Sequence, residues 1–270
     1  MRGASRASLA QATERLTAAM ADGADAGVLG DELFAVTGLL DREPGLRRML
    51  SDPSRAAMAR SGVAEELLSG RISPAALALV TGMVRARWAE PGDLADATEQ
   101  LAVLAIAETA DAAGTLDDLE DELFRFGRIV NGQSQLRFTL SSPFIDAEHK
   151  RALVADLLDE LVTGPTLRLV TQAAAHPRGR SLDTGLELYA ALAAQRRQRV
   201  VAEVRVATQL TAGQRTRLLA ALRAHYEHEV HLNVVVDPAV LGGMSVQVGE
   251  ELIDGRTASR LADLRRRLSA

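Results

Sequence analysis

Apolar positions recur at helical spacing along the first two hundred residues. Leu9, Leu16 and Met20 share one stripe of a first segment that ends at Gly23, and Ser8 with Gln11 reads as a capping box near its start. Leu29, Leu33, Val36 and Leu40 line a second helix over about 26–41. Pro44-Gly45, Asp52-Pro53 and Pro91-Gly92-Asp93 interrupt the pattern, and Ser73-Pro74 is an N-cap followed by proline at the first helical position. Near residue 199 the period shortens to two. Val200 to Val206 alternates as a strand, with Val200, Ala202, Val204 and Val206 inward. Thr211 and Gln214 make a second capping box, for a helix to about Tyr226 that buries Leu218, Leu219 and Leu222. The β-branched run His231 to Val236 is a short buried strand, broken by Asp237-Pro238 because proline cannot donate to a ladder. Leu241-Gly242-Gly243 then connects to a strand over Met244 to Val248. Asp254-Gly255 signals a turn, and Thr257 caps a closing helix carrying Leu261, Leu264 and Leu268. The pattern predicts a mainly α protein: an N-terminal helical bundle followed by a small α/β C-terminal domain.

The helical part repeats itself. Leu29-Gly-Asp31-Glu32-Leu33-Phe34 returns as Leu119-Glu-Asp121-Glu122-Leu123-Phe124, Leu50-Ser51-Asp-Pro53 as Leu140-Ser141-Ser-Pro143, and Leu67-Leu68 as Leu157-Leu158. The offset is about 90 residues, as between Leu29 and Leu119. A one-residue slip is then needed to set Ser73-Pro74 against Gly164-Pro165. Three stretches follow: residues 1–112 as a first helix plus one helical copy, 113–199 as the second copy, and 200–270 as the α/β domain.

Composition narrows the chemistry. Hydrophobic residues make up 47% of 270, enough for a substantial core, and aromatics only 3%, which leaves few rings on which bases or sugars could stack. There is no cysteine, so disulfides, thiolate nucleophiles and cysteine-bound metals are excluded. A net charge of −5 argues against non-specific nucleic-acid binding. No stretch is apolar for the ~20 residues a bilayer span requires, and Met1 to Ala10 lacks the apolar core of a signal peptide. Direct membrane insertion is not expected.

Searches for reactive constellations return bland answers. Lys150 is the single lysine and does not follow a glycine-rich loop, so a P-loop is ruled out. Gly242-Gly243 leads into a strand, not into the helix N-terminus a dinucleotide site needs. His225, His228 and His231 miss the i,i+4 spacing of zinc proteases and fit a polar helix end. Asp117, Asp118, Glu120, Asp121 and Glu122 follow Thr115 in a helix's first turns, where negative charge is favoured. Arg196-Arg197-Gln198-Arg199 and Arg265 to Arg267 suit solvated helix ends, and Trp88 suits packing. No catalytic residue, cofactor site or metal site is assigned.

The order Val236-Asp237-Pro238, Leu241-Gly242-Gly243, Gly249, Asp254-Gly255 and a leucine-spaced terminal helix resembles the C-terminal signature of the delta subunits of F-type ATP synthases. The mitochondrial counterpart is the oligomycin-sensitivity-conferring protein. In the second helical copy, Pro143 followed by Lys150 and Leu153 is similar to that family's leucine–proline–lysine pattern, and Pro177-Arg178-Gly179-Arg180 to its arginine-bearing loop. The first copy resembles the added module of long, actinobacterial-type members. Arg6-Ala7-Ser8-Leu9 stands where the family often has a tyrosine, and Arg256 where it often has serine.

The resemblance implies a peripheral-stalk subunit that is not itself an enzyme, present as one copy per complex at the cytoplasmic face of the cell membrane. It implies alpha subunits, and beta subunits beside them, as partners on the catalytic head, and a b-type stalk subunit as partner of the C-terminal domain. It points to a bundle groove between Ser5–Ala21 and Ser181–Arg197, with Leu9, Leu16, Leu186 and Tyr189 as contacts. Two other readings stay open on the residues alone: a helical adaptor unrelated to ATP synthase, and a metal enzyme using His225, Glu227 and His228.

Overall fold

The computed structural model describes residues 1, 3–197, 200–208, 210–226, 230–236, 244–248 and 251–254. The chain forms two compact units, Met1–Arg196 and Arg197–Ala270. The fold is mainly α, as the periodicity predicts, and both helical copies lie in the first unit.

The first copy comprises α1 (Ala4–Ala21), α2 (Ala26–Arg42), α3 (Pro44–Ser51), α4 (Ala57–Leu68) and α5 (Pro74–Arg85). The second comprises α6 (Pro91–Ala112), α7 (Leu116–Gly132), α8 (Ser134–Ser141), α9 (Ala147–Leu158) and α10 (Gly164–Ala175), and α11 (Leu182–Arg197) follows; α6, which the sequence division at 112 leaves with the first copy, opens the second because it stands to α7 as α1 does to α2. From α2 to α5, every helix boundary reappears 90 residues on in α7 to α10, as Ala26 does at Leu116. Core positions reappear with them: Leu33 and Leu123, Leu50 and Leu140, Ala64 and Val154, Leu79 and Leu169 are all buried.

The one-residue slip is corrected. Ser73 and Thr163 are the N-caps of α5 and α10, so the helices keep register while proline moves from the first helical position to the second. The same acid holds both caps. Glu32 accepts from the Ser73 amide at 2.7 Å and its hydroxyl at 2.6 Å. Glu122 accepts from the Thr163 amide and hydroxyl at 3.0 Å each, and from the Thr166 hydroxyl at 2.6 Å. The repeat also reaches further back than its sequence shows, because buried Ala12 and Leu16 of α1 match buried Ala102 and Ile106 of α6.

The start of α1 differs from the capping-box reading. The helix begins at Ala4 with Gly3 as N-cap, and Ser8 lies inside it, its hydroxyl donating to the Arg87 carbonyl at 2.7 Å. Ser5 is the residue that ties α1 to α6, donating to Asp93 at 2.6 Å while accepting the Ala89 amide at 2.7 Å. Trp88 is core, with its indole N–H on the Met83 carbonyl at 2.8 Å.

In the second unit, β1 (Val200–Val206), α12 (Ala212–Tyr226) and β2 (Val230–Val236) form a strand–helix–strand crossover with β1 and β2 parallel. β3 (Met244–Val248) pairs antiparallel with β1, and β4 (Glu251–Asp254) with β3, giving the order β2-β1-β3-β4. Val204, Val206, Leu222 and Val246 form its core, with Leu218 and Leu219 packed against it. The Thr211–Gln214 capping box is present in both directions. Asp254, read as a turn residue, ends β4 opposite Ser245. Asp237, Pro238, Leu241, Gly242, Gly243, Gly249, Gly255 and the closing helix lie outside the described residues.

Candidate functional site

The loop joining α10 to α11 carries the arginine motif, and its geometry requires an unusual backbone. Arg178 and Gly179 both adopt positive φ, 53° and 74°, which turns the arginine inward. Its guanidinium is 10% exposed and reaches three carboxylates on other helices. It donates to Asp41 of α2 at 2.6 Å, to Asp96 of α6 at 2.9 Å, and to Glu99 of α6. Arg180 also donates to Glu99, as does the Tyr189 hydroxyl of α11 at 2.8 Å. Arg47 completes the set 3.4 Å from Asp41, so three carboxylates face three guanidiniums.

This pairing is what keeps charge inside the bundle. Glu99 is 1% exposed, and an isolated carboxylate there would be strongly disfavoured. Burial works against the Arg178 cation, but the Asp41 hydrogen bond and the charges of Glu99, Asp41 and Asp96 outweigh it and push its pKa up. Burial, then the Glu99 charge and hydrogen bond, push the Tyr189 phenol up, so it remains a donor. These groups satisfy one another apart from Arg47 Nε, which is buried without a hydrogen-bond partner among the described residues. The network joins helices of the two copies.

The other motif residues take different places. Lys150 is buried at the position equivalent to Arg60, 90 residues earlier, which is buried too. Arg60 donates to the carbonyls of Leu50, Arg85 and Ala86, closing the ends of α3 and α5. Burial lowers the Lys150 pKa. Pro143 is exposed in the turn before α9.

The expected groove contacts require correction. Leu16, Leu186 and Tyr189 are core side chains, at 0%, 3% and 0% exposure, and a side chain already covered by its own fold cannot also face a partner. Leu9 is half-buried against that core. α1 packs on α5 and α6, whereas Tyr189 of α11 packs on Phe34 of α2 and Glu99 of α6.

Sequence reasoning missed a different surface. Phe138, Phe144 and Leu161, on α8 and the turns flanking α9, are 73%, 95% and 74% exposed. Their first-copy equivalents, 90 residues earlier, are the exposed Arg48, Ser54 and Arg71. Phe124, Ile129 and Leu157 are exposed as well, and a cleft of about 260 Å³ is lined by Ile129, Leu136, Leu157 and Leu161. Comparing the two copies position by position was the available signal.

Fold and site together define a helical assembly module, built from two copies locked by a charged network and followed by a mixed-sheet unit. Residues 103–268 match the family described as ATP synthase delta (OSCP) subunit. The chain belongs to that family, the peripheral-stalk subunits of F-type ATP synthases. It is 51% identical over 270 residues to the ATP synthase subunit delta of Streptomyces avermitilis, covering 99% of this chain and 98% of that one. It is 46% identical over 269 residues to that of Thermobifida fusca, covering all of both chains, and 49% over 271 residues to that of Streptomyces coelicolor, covering 100% and 99%. The family match begins inside α6, while these relatives align along the full length, so they share the first copy as well.

Proposed function

We propose that the chain works as a non-catalytic connector, with its helical unit on the alpha subunits of the catalytic head, beta subunits adjacent, and its C-terminal unit on the b-type stalk subunit. One copy serves each complex, at the cytoplasmic face of the cell membrane. Membership of the peripheral-stalk family supports this. So does the fact that no described helix is long and apolar enough to cross a membrane, which leaves attachment to other subunits as the route to it. Such a connector must hold the head still while the rotor turns, and two linked sites resist load better than either alone through effective concentration.

The observation that carries the reading is the apolar face of the second copy. Large exposed apolar side chains mark interaction surfaces, and at Phe138, Phe144 and Leu161 the sister copy's Arg48, Ser54 and Arg71 show that the fold does not need them. We assign that face to the head, with Leu9 and Pro143 as secondary contacts. The signature from Asp237 to Gly255 is assigned to the stalk partner.

The test grafts the first copy's residues onto the second. A tagged chain carrying F138R, F144S and L161R should fold normally yet lose alpha and beta subunits from detergent-solubilised pull-downs while keeping the b-type subunit. Undiminished recovery of alpha would overturn the assignment of this face. Recovery of no synthase subunit by the unmodified chain would overturn the connector reading itself.

A further inference from the structure

A second surface exists only because the two copies meet. α2 of the first copy and α10 of the second run side by side and leave a cleft of about 490 Å³ between them. Asp31 and Arg168 mark one end, 3.6 Å apart, and Arg42 with His176 the other. Asp31 to Arg42 spans about 16 Å at the helical rise of 1.5 Å per residue, which is three turns of helix. Phe34, Ala35 and Leu167 make the floor, and Ala35 and Gly38 keep it open on the α2 side.

The walls are cationic. Arg42, Arg151 and Arg168 line the cleft against a single carboxylate, Asp31. Arg168 is shared with that Asp31, and Arg151 with the exposed Glu148 at 3.0 Å. Arg42 has no ion pair with any described residue, and Asp41 beside it is committed to Arg178 and Arg47. Arg151 donates to His176 Nε2 at 2.8 Å, which leaves that ring an acceptor and adds no negative charge. The second copy cannot offer the same cleft, since Arg125, Arg128 and Gly132 stand where α2 has Ala35, Gly38 and Arg42.

We propose that this α2–α10 groove receives an acidic amphipathic helix of about three turns from another subunit of the synthase, with carboxylates on Arg42 and Arg151 and apolar side chains on Phe34 and Leu167. Charge complementarity selects the acidic partner, because a neutral or basic helix would leave Arg42 uncompensated. The groove's length and apolar floor select a helix over a small anion. The proposal rests on the connector reading.

The chain has no cysteine, so Ala35→Cys supplies a unique thiol at an exposed position of the groove floor. Maleimide should label it freely in the isolated full-length chain and at least tenfold more slowly in assembled, detergent-solubilised synthase. A benzophenone maleimide at the same site should crosslink to a segment with Asp or Glu beside apolar positions at helical spacing. Arg42→Glu added to this variant should restore labelling in the complex. Equal labelling free and assembled, or a crosslinked segment without acidic residues, overturns the groove's assignment while leaving the connector reading intact. A chain that recovers no synthase subunits overturns the connector reading and this one with it.

Discussion

Tyr189 and Glu99 stand 90 residues apart, one repeat length, and meet in the buried interior at 2.8 Å. The contact closes the helical unit: α11 delivers Tyr189, its ring 6.2 Å from Phe34 of the first copy, while the preceding loop delivers Arg178 to Asp41, Asp96 and Glu99. Two copies become one body because the end of the second is bonded into the first.

Removing this acceptor should therefore cost more than removing the Tyr189 hydroxyl. Glu99→Ala takes the shared acceptor from Arg180 and Tyr189 and one of three carboxylates from Arg178, and should destabilise the helical unit by about 3–5 kcal/mol, the range for breaking a buried ion pair from one side. Tyr189→Phe removes one bond to a charged group and should cost about 1.5–3 kcal/mol. Trp88 is the only tryptophan and is buried in this unit, so its fluorescence during urea unfolding reports this unit without the other. A smaller loss for Glu99→Ala than for Tyr189→Phe would contradict the network as described.

The acid-held caps make a paired prediction. Glu32→Ala and Glu122→Ala each free an N-cap that a carboxylate now holds, and each should cost about 1.5–3 kcal/mol. Glu122 should be the larger, since it accepts from Thr163 twice and from Thr166, whereas Glu32 accepts only from Ser73. The same urea titration ranks them, and equal or reversed losses would mean the third bond contributes nothing.

Much of this architecture was legible because it is local. Helical stripes, Ser73-Pro74 and the Thr211–Gln214 pair name their elements within a few residues. The repeat showed itself from α2 onward, where Leu and Phe recur, but not in α1, where Leu9 stands opposite Glu99 and little beyond small or buried positions such as Ala12 and Ala102 is shared. Arg178 was legible as a motif, yet its partners lie 137, 82 and 79 residues away, and no local spacing connects them. One clue was present: Asp96 and Glu99 are the two charges within the largely apolar run Leu94 to Ala107, and a charge on its buried side must be paired. The resemblance points to Leu16, Leu186 and Tyr189 as partner contacts, yet a helical stripe looks the same whether its own fold or another chain covers it, and here its own fold does.

Lys150 offers a test of the repeat by substitution. Arg60 fills the equivalent place and spans the ends of two helices through three carbonyl bonds. Lys150→Arg should then be tolerated within about 1 kcal/mol, while Lys150→Ala, which empties a buried position, should cost about 2 kcal/mol or more. Thermal unfolding followed by Trp88 fluorescence distinguishes the two, and an arginine as damaging as alanine would show that the copies differ at this site.

His176 should make stability depend on pH in one direction. Burial first, then the charges of Arg151 and Arg42, hold its pKa below the usual 6.5, with Asp41 opposing them only in part. The folded chain thus binds a proton at this ring less readily than the unfolded chain does. Between the two pKa values the unfolded state carries more protons, so stability rises with pH. The contribution is fully present above about pH 6.5–7 and declines as pH falls below that value toward the folded pKa. Neutral His176→Gln should flatten the slope of the Trp88-detected unfolding free energy between about pH 5 and 7, because one titrating group is gone. The sign also bears on the groove. A carboxylate brought beside Arg42 by a bound acidic helix would offset the cationic field, raise the His176 pKa toward its unfolded value and narrow the pH window of that slope. The same nuclear magnetic resonance titration of the His176 ring in free and assembled chain should show an upward shift on assembly, whereas a downward one would mean that the covering segment carries positive charge.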